Sequence, residues 1–135
     1  MIFKGLEISL TGMEAQRVRI DVHSSNLANA NSVDENGQPY RRKIPIFEAV
    51  LEEAGKTESY KVRVKKIVED PSPFKLKFDP TNPLADEKGY VRLPNVDPLK
   101  EMVDMISAMR TYEANLTAFN THKGMLLSAM DILKA

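Results

Sequence analysis

Apolar residues recur at alternating steps of three and four through the first thirty positions: Phe3, Leu6, Leu10, Met13, Arg17, Ile20, Ser24 and Leu27. Six of these eight are apolar and no proline intervenes, so the pattern predicts a helix from about Phe3 to Ala30 with a heptad-like stripe. A weaker stripe passes through Ile8, Ala15, Val18 and Val22. A helix apolar on two sides has more apolar surface than one partner helix covers.

The last forty residues carry a stronger signal. Asp97 followed by Pro98 predicts an N-cap with proline at the first helical position, and Glu101 places negative charge in the first turn. The same stepping then gives Met102, Met105, Met109, Tyr112, Leu116, Phe119, Lys123, Leu126, Met130 and Leu133, nine of ten apolar, with Val103 and Ile106 widening the upper half. At about 1.5 Å per residue such a helix is about 55 Å long. The rest of the chain is too small to cover it.

Between Asn31 and Val96 the pattern changes, and all eight prolines lie here or at Pro98. Asn36-Gly37 is a turn signal. Tyr60 to Lys65 and Phe74 to Phe78 alternate apolar and basic residues and predict half-buried strands; Gly89 to Leu93 predicts a third. The expected class is α+β: two long terminal helices (1–32 and 96–135) pairing as an antiparallel helical arm, with a small β-rich middle (33–95) between them. A middle of this size has a marginal core. The exposed stripes therefore predict partner chains, with helix ends that fray in the lone chain and order on assembly.

Composition narrows the function. Lys plus Arg and Asp plus Glu both total 19, so the 135-residue chain has zero formal charge, which argues against a nucleic-acid binder and makes self-association electrostatically cheap. The absence of cysteine excludes disulfides, thiolate metal sites and cysteine nucleophiles. No apolar run approaches the roughly 18 residues of a membrane-spanning helix, and the first residues open no signal-peptide stretch. A soluble, non-spanning chain is expected.

Catalytic constellations are missing. The two histidines, His23 and His122, fall on different helices without a carboxylate at i+4, and read as solvated or interface residues. Gly55-Lys56-Thr57 ends like a phosphate loop but lacks the earlier glycine, since position 50 is Val50. Asp34-Glu35-Asn36-Gly37 resembles part of a calcium loop, yet Lys43 stands where the bidentate glutamate belongs. No catalytic, cofactor or metal residues are assigned, and no enzyme is expected. The amides of Ser25-Asn26-Leu27-Ala28-Asn29-Ala30-Asn31 stand out: they either cap the helix in a left-handed conformation or bond across helix contacts and fix register, as does Asn115. Gly12 and Gly124 each cost about 1 kcal/mol inside a helix, tolerated either as flexibility or for close approach of a neighbour.

Ser25 to Ser32 is similar to the S-N-x-A-N-A-N-T motif of bacterial flagellar basal-body rod proteins, with Ser32 for the usual Thr. Pro39-Tyr40-Arg41-Arg42, Asp79-Pro80 with Pro83, Ala85 and Asp86, Gly89-Tyr90-Val91 with Pro94-Asn95-Val96, and Glu101-Met102 through Arg110, Tyr112-Glu113-Ala114-Asn115 continue the resemblance. The length and short middle resemble a proximal rod member. The resemblance implies a non-enzymatic building block of the periplasm-crossing drive shaft, exported through the flagellar type III apparatus. It implies neighbours among the other rod proteins (FlgB, FlgF, FlgG), the basal-body component FliE and further copies of the chain. Terminal helices would form the inner tube and the β-rich middle would face outward.

On this reading assembly is head-to-tail and heterologous, which propagates helically. The expected subunit-interface residues are Leu6, Leu10, Met13, Asn26, Asn29, Met105, Met109, Tyr112, Asn115, Leu116 and Phe119. Burying each large apolar side chain contributes about 1.5–3 kcal/mol. The alternative is a soluble helical adapter that binds one partner through the C-terminal seam; periodicity alone does not separate the two.

Overall fold

A computed structural model of the protein describes residues 2–54 and 57–134, with side chains at 3–51 and 59–134. Two helices flank two small antiparallel sheets in the order α1 (Ile2–Ala28), β1 (Lys43–Ala54), β2 (Thr57–Glu69), β3 (Lys75–Phe78), β4 (Tyr90–Leu93) and α2 (Pro98–Lys134). The expected α+β arrangement holds. Asp97 caps α2 as its sequence predicts, its Oδ1 accepting from the Leu99 backbone N–H at 3.1 Å. The end of α1 differs from one expectation: no described residue other than glycine has a positive φ, so neither Asn29 nor Asn31 forms a left-handed cap. Instead Asn29 Nδ2 donates back to the Ser25 carbonyl at 2.8 Å.

The two helices pack antiparallel with a register that advances by whole heptads. A Cβ on Gly5 would lie 2.6 Å from the His122 ring, and one on Gly12 would lie 2.8 Å from Asn115 Oδ1. Asn26 bonds to Glu101. Each step moves seven or fourteen residues forward on α1 and the same number back on α2. The missing step falls at Arg19 and Ala108, and Ala108 is fully buried. Gly12 thus admits a close neighbour, whereas no described residue comes within 4 Å of a Cβ built on Gly124.

β1 and β2 form a long hairpin, paired from Lys43↔Glu69 to Ala54↔Thr57 with a shift between Ile46 and Phe47 that leaves Lys65 unpaired. Alternation predicts β2 and β3, and the stretch from Gly89 predicts β4, but β1, which holds Pro45 and an Ala/Glu-rich stretch, is not predicted. β3 is also exposed along its whole length rather than half-buried, because its two-stranded sheet has no described element packed over Leu76 and Phe78. Both strands of a two-stranded sheet are edges, and an edge accommodates proline. Gly55 and Lys56 of the rejected phosphate loop lie outside the described residues. The hairpin lies along α1, with the Val62 N–H donating to Thr11 Oγ1 at 3.4 Å and Lys61 Nζ 3.2 Å from Glu7. The weaker α1 stripe borders it, Val18 and Val22 beside Ile67 and Val68. β3 pairs with β4, and in the loop before β1 Asp34 Oδ1 accepts from the N–H groups of Asn36 and Gln38, so the calcium-loop fragment is an ordinary Asx turn.

Candidate functional site

Residues from four of the motifs that carry the family resemblance, Asn26, Tyr40 with Arg42, Asn95 and Glu101, meet at the end of the arm, where α1 finishes and α2 begins. Asn26 is fully buried, and its amide uses its whole capacity. Oδ1 accepts from the Tyr40 hydroxyl and the Lys43 N–H, each at 2.9 Å; Nδ2 donates to the Lys43 carbonyl at 2.9 Å and to Glu101 Oε2 at 3.1 Å. Glu101, also buried, takes His23 Nδ1 on the same oxygen at 2.6 Å and the Arg42 Nε–H on the other. An ionised carboxylate only accepts, so His23 Nδ1 carries the proton. Arg42 reaches Asp70 at 3.1 Å, its backbone N–H donates to Asn95 Oδ1 at 2.7 Å, and Asn95 Nδ2 donates to the Asp70 and Ser72 carbonyls at 3.1 Å.

Electrostatics hold this junction together. Burial pushes the Glu101 carboxyl up, but hydrogen bonds from Arg42, His23 and Asn26 and the charge of Arg42 outweigh it and hold the group below its ordinary value. Hydrogen bonds from Ser72, then Arg42, lower Asp70. Burial pulls Arg42 down, and its bonds to Glu101 and Asp70 more than reverse that. A buried charge is tolerated when paired and hydrogen-bonded, and Glu101 is both.

Two sequence expectations are corrected here. Of the two readings of His23, solvated or interface, the solvated one is overturned, since it is buried against Glu101 between α1 and α2; His122 sits elsewhere on the arm, across from Gly5. Glu101, expected only to complement the helix N-terminus, is the centre of the junction. The signal for it was present: His23 and Asn26 lie one turn apart on one face of α1, and Glu101 stands within a quoted family motif.

The arm sorts the expected interface residues into two sets. On α2 the seam positions Glu101, Met105, Ala108, Tyr112, Asn115, Phe119 and His122, again at alternating steps of four and three, are buried or half-buried, and Asp104, Ala118, Leu126 and Ala129 beside or beyond them are half-buried. Met105, Tyr112, Asn115 and Phe119 therefore face α1 of their own chain. Met109 and Leu116, each one position past that seam, remain 46% and 39% exposed. On α1, Met13 is buried, Leu6 and Asn29 are half-buried, and Leu10 is exposed. The predicted α2 stripe is thus split, because Gly5, Gly12 and Asn26 on α1 select His122, Asn115 and Glu101 by size and hydrogen bonding over the neighbouring methionines and leucines. What stays open is a second apolar face on α2, with Met102, Ile106, Met109, Leu116 and Met130 exposed. An apolar face of this length marks an interaction surface.

Comparison with known proteins agrees at both ends of the chain. Residues 6–34 match the family "Flagella basal body rod protein", and residues 87–132 match "Flagellar basal body rod FlgEFG protein C-terminal". The chain is 55% identical over 122 residues to a flagellar basal-body rod protein FlgC of Aquifex aeolicus, covering 90% of each chain. Identity to the protein of the same name from Bacillus subtilis is 47%, over 98% of each, and to that from Salmonella typhimurium 42%, over 93% of each.

Proposed function

The chain belongs to the flagellar basal-body rod protein FlgC family, and from that membership we propose that it is a structural subunit of the basal-body rod, built into the shaft through its terminal helices. The observation that supports assembly through α2 is its second apolar face, which the described residues of the same chain leave exposed. Lateral and axial neighbours bury that face, and close-packed helices of low compressibility give the stiffness that a drive shaft requires. The neighbours are further copies of the chain, the rod proteins FlgB, FlgF and FlgG, and the basal-body component FliE. Delivery is by the flagellar type III apparatus, and the working location is the periplasmic part of the basal body. A single-partner adapter is not favoured, since the named relatives are rod proteins along almost the whole chain.

The test uses Met109→Asp in a strain lacking its own copy. The residue is exposed, so the purified variant keeps the parent's unfolding free energy to within about 0.5 kcal/mol. A carboxylate on the assembly face abolishes rods and swimming. Normal rods built with the variant would refute the assignment of this face to assembly.

A further inference from the structure

We infer that the end of α2, Leu127 to Lys134, docks into the groove between α1 and the root of the β1–β2 hairpin on a second copy of this chain. The inference rests on the rod-subunit reading and names which surface of one copy meets which surface of the next.

The helical register supplies the first observation. By the pairing of Gly5 with His122, the described residues of α1 stop opposite residue 125. The last turns of α2 run on for about 13 Å beyond the described residues of α1. Leu127, Met130, Ile132 and Leu133 are exposed there, Leu133 by 85%. Singly exposed leucines are ordinary, but Leu127, Met130 and Leu133, three residues apart in turn, share one side of the helix end and form a patch.

The groove supplies the second. It encloses about 550 Å³ between Val18 and Val22 on α1 and Ile67 and Val68 on β2, and Ile67 is 49% exposed within it. A cavity of about 150 Å³ holds one benzene, so the groove takes roughly three large side chains. Its rim carries Asp21 and Glu69, with Lys43 at the hairpin root. The helix end offers Lys134 to the acids and Asp131 to Lys43, so apolar and charged positions match together.

Placement in the arm supplies the third. The groove lies beside residues 18–25 of α1, near the Glu101 junction, and the free helix end lies at the opposite extremity, about 40 Å away along the arm. One copy cannot satisfy itself. A donor end and an acceptor groove at opposite extremities make a heterologous contact, which leaves each added copy with one of each still free. Pairing of two helix ends would be isologous and would stop at a dimer. A helix end of eight residues buries less than a stable binary interface requires, so the contact is weak in isolation and is best trapped covalently.

The chain has no cysteine, which makes trapping clean. The full-length double variant Ser25→Cys with Met130→Cys, oxidised as the purified chain, should give a disulfide ladder of three and more copies. Either single variant should give dimers at most. Asp21→Lys with Glu69→Lys should lower the ladder about tenfold, and adding Lys134→Glu should restore most of it. All of these positions are exposed, and matched thermal transitions establish that each variant folds. No ladder, a ladder indifferent to the charge reversals, or equally efficient dimers from Met130→Cys alone would each overturn the docking. The swimming test of Met109→Asp reads the rod assignment separately, so a missing ladder with that test passed defeats only the inference drawn here.

Discussion

The side chain of Asn115 occupies the space that a Cβ on Gly12 would need, with three of its atoms within 2.9 Å of that position. Glycine at this helix position costs about 1 kcal/mol relative to alanine. The close contact accounts for it, since Asn115 is held in place by its own Nδ2–H donating to the Thr111 carbonyl at 3.0 Å. Gly12→Ala should therefore fail to gain the alanine's helical preference in the parent chain. In an Asn115→Ala background it should stabilise by about 1 kcal/mol. A double-mutant cycle on urea midpoints reads the difference, and additive effects would show that the two residues are not coupled.

Glu101 is the most sensitive single position in the junction. One of its oxygens accepts from Arg42 and the other from His23 and Asn26. Glu101→Gln keeps the shape but turns one acceptor into a donor facing another donor. Removing one partner of a buried pair costs about 3–5 kcal/mol. The expected outcome is a large fall in denaturant midpoint at unchanged m-value. A loss under about 1 kcal/mol would mean that the junction is solvated in solution.

The same carboxylate sets an acid limit. The folded Glu101 value lies below the ordinary 4.5, so the folded chain binds fewer protons than the unfolded chain in that window. Its stabilising contribution is complete above about pH 4.5 and is lost as pH falls through the lower folded value. Asp70, also lowered, adds to the same limb from its ordinary 3.8 downward. Urea midpoints measured from neutral to acid pH should fall below pH 4.5 in the parent. They should fall less steeply in Glu101→Gln, and parallel curves would remove Glu101 as the cause.

The helices were legible because their apolar steps and the Asp97-Pro98 start are local signals, as were strands β2, β3 and β4. β1 was not, since Pro45 and the alanines and glutamates after it carry no alternation, and it is a strand only through its pairing with β2. The arm's seam was half legible. Periodicity places Met105, Tyr112 and Phe119 on it but cannot choose between Met109 and Ala108, or Leu116 and Asn115. That choice depends on the residues of the opposing helix, Gly12 across from Asn115 and Arg19 across from Ala108. The junction was legible only as motifs. Asn26, Tyr40, Arg42, Asn95 and Glu101 are scattered over 76 positions of sequence, and their meeting is a long-range fact.

Stability along the arm should be graded for the same physical reason. Val22, His23, Asn26, Val96, Glu101 and Ala108 are all buried around the junction, whereas Phe3, 66% exposed, and the last turns of α2 have little to hold them. Local opening is cheapest where few apolar contacts shield the backbone. Native-state hydrogen exchange on the purified chain should give the strongest protection at residues 22–26 and 101–108, weakening steadily toward residues 3–6 and 127–134. Salt should change this little, because few surface ion pairs contribute. A neighbouring subunit that covers the α2 end would raise protection there and leave the junction unchanged. Uniform slow exchange along both helices of the isolated chain would contradict the gradient, and with it the expectation that the far end of the arm becomes ordered by assembly.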